Sequence, residues 1–333
     1  MGTRLSIRVP ADFVLSRDVC SYGYFLLAPN HWDVRRQTLT RTLLLADGPA
    51  RAIVSQEQRK APRASRPGRL SFPHTPGAPL AASFDRALSR AEQAEARAQF
   101  SRMFRLDEDE THAREFHALD PRWKQSGRSR LFRSPTLFED VLKTVTSCNV
   151  TWPSTVHMNR RLCEVLGESG AFPSAKRVSR ARPGTLRARC RVGYRDQRMV
   201  DLARMFVPRR GRPAEVDEAW LTDPSTSDDE AFRFLTSLPG IGPYAAGNIM
   251  QLLGRYSRLA LDSESVRHGK AVLGMKGTDA AIMKRLAAHY EPFGAFRFKS
   301  YWFEIWDYYE TKRGVSHNWD REEVGSSFTA SQL

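Results

Sequence analysis

Residues 238–249 read Leu-Pro-Gly-Ile-Gly-Pro-Tyr-Ala-Ala-Gly-Asn-Ile. Gly240 and Gly242 permit a turn too tight for residues that carry a Cβ. Pro243 falls in the first turn of a following helix, where its missing N–H removes no helix bond, and Gly254 is a natural stop for that helix. Upstream, Ser227-Asp228-Asp229-Glu230 is a capping-box signal that opens a helix carrying Phe232, Leu235 and Leu238 on one face. The stretch therefore reads as two helices joined by a short glycine hairpin. Backbone N–H groups around Gly240, Gly242 and Ala245 have no partner inside either helix, so they can bind a phosphate. A tight turn between packed helices is the plainer alternative. The Leu-Pro-Gly-Ile-Gly order after a capped helix is narrower than a generic turn and favours DNA.

Thirteen residues past Ile249, an apolar approach, Leu259-Ala260-Leu261, ends in Asp262 at the start of a further helix. Asp262 is a good N-cap, and taken alone that role accounts for it. With the hairpin beside it, a second role becomes the better reading. The hairpin resembles the helix-hairpin-helix motif of DNA repair proteins. Together with Asp262 it resembles the helix-hairpin-helix (HhH-GPD) DNA glycosylase superfamily, nearest to the 3-methyladenine DNA glycosylase II and 8-oxoguanine DNA glycosylase types. Members carry a catalytic aspartate about eighteen residues beyond the hairpin's catalytic-lysine position. Here that position is Tyr244, and Asp262 lies eighteen residues on. The resemblance implies Asp262 as catalytic carboxylate; such a group stabilises the oxocarbenium character of a sugar losing its base and can orient or deprotonate water.

Tyr244 cannot form the Schiff base that lysine forms in bifunctional members. Lys270 follows on the next helix, away from the family position. A monofunctional enzyme with water as nucleophile is expected, with Tyr244 either on the pocket wall or simply packed. Other segments fall in the superfamily's order. These are Phe104-Arg105-Leu106-Asp107, Phe116 to Asp120, a capped helix from Thr136 to the loop at Cys148-Asn149, Gly193-Tyr194-Arg195, and Tyr290 to Phe303. The resemblance implies that the loop at Asn149 inserts into the base stack and that Arg195 helps hold the orphaned partner base. Asn149 and Trp152 are the wedge and pocket candidates; an ordinary turn with Trp152 in the core explains the loop equally well. Trp302 and Trp306, four apart on a helix, read as core. The family also implies a structural K+ or Na+ on the carbonyls of Thr236, Leu238 and Ile241, without evidence from the side chains there, and no other cofactor.

Farther out, residues 13–56 look β-rich, with Tyr22 to Leu27 and Thr38 to Leu45 as strands, a turn at Asp47-Gly48 and a return strand at Ala50 to Val54. Residues 59–79 form a basic Pro-rich excursion. From Ala81 the pattern is helical. The fold class expected is α+β, mainly α. Residues 1–100 make an N-terminal antiparallel β lobe, 101–313 a helical glycosylase domain and 314–333 a frayed tail.

Composition agrees with this reading. The 333 residues include 52 Lys and Arg against 37 acids, a net charge of +15, suited to a polyanion. Between Lys176 and Arg212 there are 13 basic residues and only Asp196 and Asp201 as acids; phosphates would relieve their repulsion. Cys20, Cys148, Cys163 and Cys190 show no C-x-x-C spacing, which argues against zinc or iron–sulfur sites and for free thiols. No apolar run suits a membrane span, and the first fifteen residues lack a leader's apolar core, so an intracellular location (cytoplasm or nucleoid) and a monomer are expected. The substrate expected is duplex DNA carrying a damaged base, first an N-alkylated purine and second an oxidised base such as 8-oxoguanine. A non-catalytic DNA-damage-binding protein is the alternative of a different class, and Asp262 is the residue that separates them.

Overall fold

The computed structural model describes residues 2–59, 72–209 and 211–321. Its sheet has five strands: β1 (Arg4–Ile7), β2 (His31–Asp33), β3 (Thr38–Leu45), β4 (Gly48–Gln56) and β5 (Leu80–Phe84). Their order is β1-β5-β4-β3-β2, every pair antiparallel. The alternation in β3 turns Leu39, Arg41, Leu43 and Leu45 inward, as period-two patterning requires. Leu45 pairs with Gly48, so Ala46-Asp47 makes the turn, with Gly48 at a φ of +118°. Among the described residues every named element after Phe84 is a helix, giving the α+β, mainly α class.

Two segments differ from the sequence reading. Leu15–Val19 is a helical turn and Gly23–Leu26 a 3-10 turn, where a strand was expected over 22–27. Residues 24–28 are all buried, and a continuous apolar run carries no period by which to separate strand from helix. Asp18 Oδ2 accepts the Val14 N–H at 2.9 Å and Asn30 Nδ2 donates to Tyr24 O at 2.8 Å, fixing the irregular path. Conversely, Leu80–Phe84 is a strand placed between β1 and β4, not the start of the helical part. Its small residues, Ala81, Ala82 and Ser83, hide the alternation. The first long helix, Arg90–Phe104, begins with a reciprocal Ser89–Glu92 capping box.

The described residues cluster into two compact units. The first comprises 2–136, Leu162–Pro173 and 313–321; the second comprises Leu137–Arg161 and Ser174–Lys312, omitting 210. The first does not end at residue 100, because the helix Arg90–Phe104 covers the sheet: Gln99 Nε2 donates to Leu44 O at 3.0 Å and Glu95 Oε2 accepts the Ala46 N–H at 2.9 Å. A sheet face needs such a cover. The segment expected as a frayed tail is also packed as far as described. Trp32 Nε1 donates to His317 O at 2.9 Å, Ser316 Oγ donates to Cys20 O at 2.7 Å, and Trp319 is buried. At the base of the excursion, Arg59 N–H bonds Pro73 O at 2.7 Å and Thr75 N–H bonds Glu57 O at 2.8 Å; residues 60–71 lie outside the described residues.

The second unit holds the helices 137–147, 196–205, 228–237, 243–253, 263–271 and 279–290 whole, with all but the ends of 152–166 and 297–313. Among the described residues no helix is long and apolar enough to cross a membrane.

Candidate active site

The hairpin forms as its residues require. The helix Asp228–Ser237 opens with a capping box in which Ser227 Oγ accepts the Glu230 N–H at 3.3 Å and Glu230 Oε2 accepts the Ser227 N–H at 2.9 Å. Buried Leu238 and Ile241 anchor the turn, closed by the Ile241 N–H on Leu238 O at 3.1 Å. Gly240 sits at a φ of +79°, where a Cβ is strained, whereas Gly242 is extended and exposed, and a Cβ there would meet nothing within 4 Å. Pro243 starts the helix Pro243–Leu253, which ends at Gly254 with a φ of +94°. Among the described residues the N–H groups of Gly240, Gly242 and Ala245 meet no protein acceptor. They leave a patch of donors at a helix start, the arrangement that suits an anion.

Arg198 lies against this turn: a Cβ on Gly240 would come 3.1 Å from its Cδ. The hairpin thus borders the basic run. Within that run Lys176, Arg180, Arg182, Arg189 and Arg191 are exposed and, among the described residues, pair with no acid. Arg187 pairs with Asp196 at 2.9 Å and Arg204 with Asp201 at 2.8 Å.

Arg195 is placed differently from the part expected of it. It is 5% exposed, and its guanidinium donates to Val145 O at 3.1 Å, Val192 O at 3.3 Å and the Cys148 carbonyl. The bonds to Val145 and Cys148 satisfy carbonyls at the end of the helix Leu137–Ser147 and hold the loop that follows. The exposed group next to it is Tyr194, 55% exposed, with the Arg195 and Arg198 guanidinium carbons 4.4 and 5.6 Å from its ring centre. In the loop itself Asn149 is exposed at a φ of +52°, a conformation asparagine tolerates better than most residues. Trp152 is half-buried as the first residue of the helix Trp152–Leu166.

Asp262 is the N-cap of the helix Ser263–Ala271 and is only partly buried. Its Oδ1 accepts the Ser265 N–H at 3.0 Å and the Ser265 hydroxyl at 3.1 Å; neither bond goes to Oδ2. Burial raises its pKa above the usual carboxylate range, Ser265's two hydrogen bonds pull against that, and the neighbouring Glu264 charge adds to the rise. The Cys148 thiol, pushed up to about 11 chiefly by burial, feels the Asp262 charge, so the aspartate and the 148–149 loop share one neighbourhood. The hairpin helix reaches the same place. A Cβ on Gly247, one turn past Tyr244, would stand 2.9 Å from Leu259 O, so helix and strand-like approach to Asp262 touch backbone to backbone. Tyr244 is half-buried on the first turn of that helix.

The residues that support Asp262 from behind were not singled out from the sequence. Ser265 Oγ lies 2.5 Å from the Tyr301 hydroxyl. Tyr309 donates to Glu264 at 2.5 Å, Arg267 Nε donates to the same carboxylate at 2.7 Å, and Tyr290 and His268 each reach Glu304 at 2.9 Å. The Ser265–Tyr301, Glu264–Tyr309 and His268–Glu304 contacts join the Asp262 helix to the helix Arg297–Arg313, while Arg267 braces Glu264 within its own helix and Tyr290 reaches Glu304 from the end of the helix Asp279–Tyr290. Trp306 is buried and stacked at 5.5 Å on Trp302, as core packing predicts. All four cysteines are free. Among the described residues no group of three or more His, Cys, Asp or Glu is placed to hold a metal.

No protein-family model and no curated protein matches the chain. Solved structures do. A 3-methyladenine DNA-glycosylase from Archaeoglobus fulgidus aligns with a TM-score of 0.62 at 15% identity, over 92% of this chain and 99% of that one. MBOgg1 in complex with a low-affinity DNA ligand aligns at 0.63 and 17%, over 92% and 97%. The apo 8-oxoguanine glycosylase/lyase of Clostridium acetobutylicum aligns at 0.56 and 15%, over 86% and 93%. The chain has the helix-hairpin-helix glycosylase fold. Within this fold the glycine hairpin, the capped aspartate and the 148–149 loop fall in one unit, and the N-terminal sheet in the other.

Proposed function

We propose that this protein is a monofunctional DNA glycosylase of base excision repair, which extrudes a damaged purine, most readily an N-alkylated one, and hydrolyses its N-glycosidic bond with Asp262. The observation that carries this is the presentation of Asp262. It is a partly buried carboxylate held at Oδ1 by Ser265, on a segment packed against the helix that begins at the phosphate-binding hairpin.

The chemistry follows from that arrangement. The hairpin N–H groups and Arg198 grip a backbone phosphate beside the extruded nucleotide. The exposed loop at Asn149, held by Arg195, fills the space left in the stack, and Tyr194 presents a ring to the bases beside it. As the C1′–N bond lengthens, positive charge grows on the sugar, and Asp262 Oδ2 stabilises it and takes a proton from the entering water. An N-alkylated purine is already cationic and departs without further protonation, so one carboxylate suffices; the half-buried aromatics Tyr244 and Trp152 suit a cationic base.

Water as nucleophile is supported by what the lysines do. Tyr244 stands where a bifunctional enzyme has its lysine. Lys270 pairs with Asp279 at 2.9 Å, and buried Lys299 lies 4.1 Å from the Tyr256 ring centre. A monovalent cation near the hairpin would use the carbonyls of Thr236, Leu238 and Ile241. Leu238 O already accepts one hydrogen bond and retains one lone pair for it. An oxidised-purine substrate is the second reading, favoured by Asn149 and the Gly193-Tyr194-Arg195 turn meeting at one loop through Arg195.

The test is a panel of duplexes, each with one modified base, scored for released base and for strand integrity. The expected result is release from a 3-methyladenine or 7-methylguanine duplex, leaving an abasic strand that breaks only after alkali. Direct nicking with a borohydride-trapped adduct would overturn the monofunctional assignment. Release from 8-oxoguanine alone would favour the second reading.

A further inference from the structure

The Asp262 carboxylate is organised from a second helix. Ser265 is fully buried, and its Oγ lies 2.9 Å from the Asp262 N–H, 3.1 Å from Asp262 Oδ1 and 2.5 Å from the Tyr301 hydroxyl. A hydroxyl has one proton to donate and two lone pairs to accept with. The Asp262 N–H can only donate and an ionised carboxylate can only accept. The three contacts are met together in one way: Asp262 N–H and Tyr301 O–H donate to Ser265 Oγ, and Ser265 O–H donates to Asp262 Oδ1. With the Ser265 N–H added, two donors converge on Oδ1, and the Glu264 N–H also bonds the carboxylate.

We propose that Ser265 and Tyr301 are positioning residues for base release, a two-hydroxyl chain that turns the Asp262 carboxylate so that Oδ2 alone faces the deoxyribose. This rests on the glycosylase reading above. A capping box needs only the first of these contacts, the reciprocal bonds within residues 262–265. Tyr301 belongs to the helix Arg297–Arg313, 36 positions on, and is buried with its ring edge-on to Tyr290 at 5.4 Å and Phe298 at 5.9 Å. Its hydroxyl is therefore delivered to Ser265 by packing that owes nothing to the cap. Donors aimed in advance at one oxygen of a catalytic carboxylate need no rearrangement during the reaction.

The arrangement also affects protonation. Burial raises the Asp262 pKa, and Ser265 opposes that rise. The other titratable groups facing Asp262 are Glu264 on its own helix and Cys148 from the loop opposite, whose thiol stays protonated at neutral pH. Tyr301 reaches it only through Ser265, and Glu264 is itself held by Arg267 and Tyr309. Removing the Ser265 hydroxyl leaves the desolvation and the Glu264 charge less opposed, so the Asp262 pKa rises further.

The test compares wild type with Ser265→Ala, Tyr301→Phe and Ser265→Thr. Single-turnover base release at saturating enzyme is followed from about pH 4 to about pH 9. The Asp262 carboxylate is titrated by carbon NMR in the DNA-free protein. Ser265→Ala is expected to slow release roughly tenfold or more and to move the acidic limb, and the NMR midpoint, upward by about one unit. Tyr301→Phe moves both the same way by less, because Ser265 keeps its own proton for Asp262. Ser265→Thr, which keeps the hydroxyl, restores both. If Ser265→Ala and Tyr301→Phe keep the wild-type midpoint in both measurements, the two residues only support the helix and the proposal fails, whatever the rates. The NMR midpoint does not depend on turnover, so a wild type that releases no base would end the glycosylase reading while leaving the positioning test readable.

Discussion

Gly247→Ala separates the geometry of Asp262 from the grip on DNA. Gly247 lies in the buried interior of the helix Pro243–Leu253, and a Cβ there would stand 2.9 Å from Leu259 O, 3.3 Å from Leu259 C and 3.4 Å from Ala260 Cα. Ordinary contacts begin near 3.4 Å, so the opposing backbone must retreat by roughly half an ångström. The obstructing atoms are main chain and cannot rotate away. Replacing Gly by Ala inside a helix is worth about 1 kcal/mol in favour, while overpacking costs about 1–3 kcal/mol. The net expected is a loss of about 0–2 kcal/mol of stability. Activity should fall further than stability suggests, because Ala260 precedes Asp262 by two residues. If a misplacement of about 1 Å costs on the order of 100-fold, half of that costs about tenfold. The assay is single-turnover base release at saturating enzyme, alongside urea unfolding and binding of undamaged duplex by anisotropy. The prediction is a tenfold slower release with duplex affinity within about twofold of wild type, since the hairpin donors, from Gly240 to Ala245, all precede Gly247 in the chain. A wild-type rate, or a loss confined to affinity, would refute the close contact as the link between hairpin and aspartate.

Two further outcomes follow from local geometry. Gly242→Leu should leave stability within about 0.5 kcal/mol, because position 242 is extended and faces open space. It should weaken binding to all duplex sequences alike, as loss of a phosphate contact does; a sequence-dependent loss would count against the hairpin's assigned part. His74 is buried, with Nδ1 accepting the Ser16 N–H at 3.2 Å and Nε2 donating to Gln37 O at 3.1 Å, so both nitrogens are committed in the neutral ring. Burial lowers its pKa to about 4. The unfolded chain then takes up a proton near pH 6.5 that the folded one refuses, so stability is full above that pH and declines as pH falls toward 4. The loss approaches about 3 kcal/mol. Urea unfolding at pH 7 and near pH 4.5 should show it, and His74→Gln should flatten the difference; an unchanged slope in that variant would assign the pH dependence elsewhere.

What could be read from the sequence was local. The Ser227–Glu230 box, the Gly240–Gly242 turn, the Gly254 stop and the Asp262 cap each depend on residues within four positions of one another, and each forms as its residues dictate. The support behind Asp262 could not be read this way, because Ser265 and Tyr301 are far apart in the chain and a serine in a helix's first turn has an ordinary explanation. Gly247 did leave a signal, a glycine inside a helix, which commonly marks close backbone approach. Its partner, the backbone at Leu259, leaves none. Arg195 was legible as a residue of the loop region but not as one whose donors are consumed by the carbonyls of Val145, Val192 and Cys148. The short strands at Arg4–Ile7 and Leu80–Phe84 escaped because one has four residues and the other is mostly small side chains. Strand identity there comes from pairing, not from composition.

Asp262→Asn carries the most direct test of the account, because it keeps the shape and the Oδ1 cap while removing the charge. Release of base from a duplex holding a single N-alkylated purine should fall by at least about 100-fold at neutral pH, with duplex affinity and unfolding midpoint retained. A variant that releases the base at the wild-type rate would contradict the account, and the carboxylate would then be no more than the end of a helix.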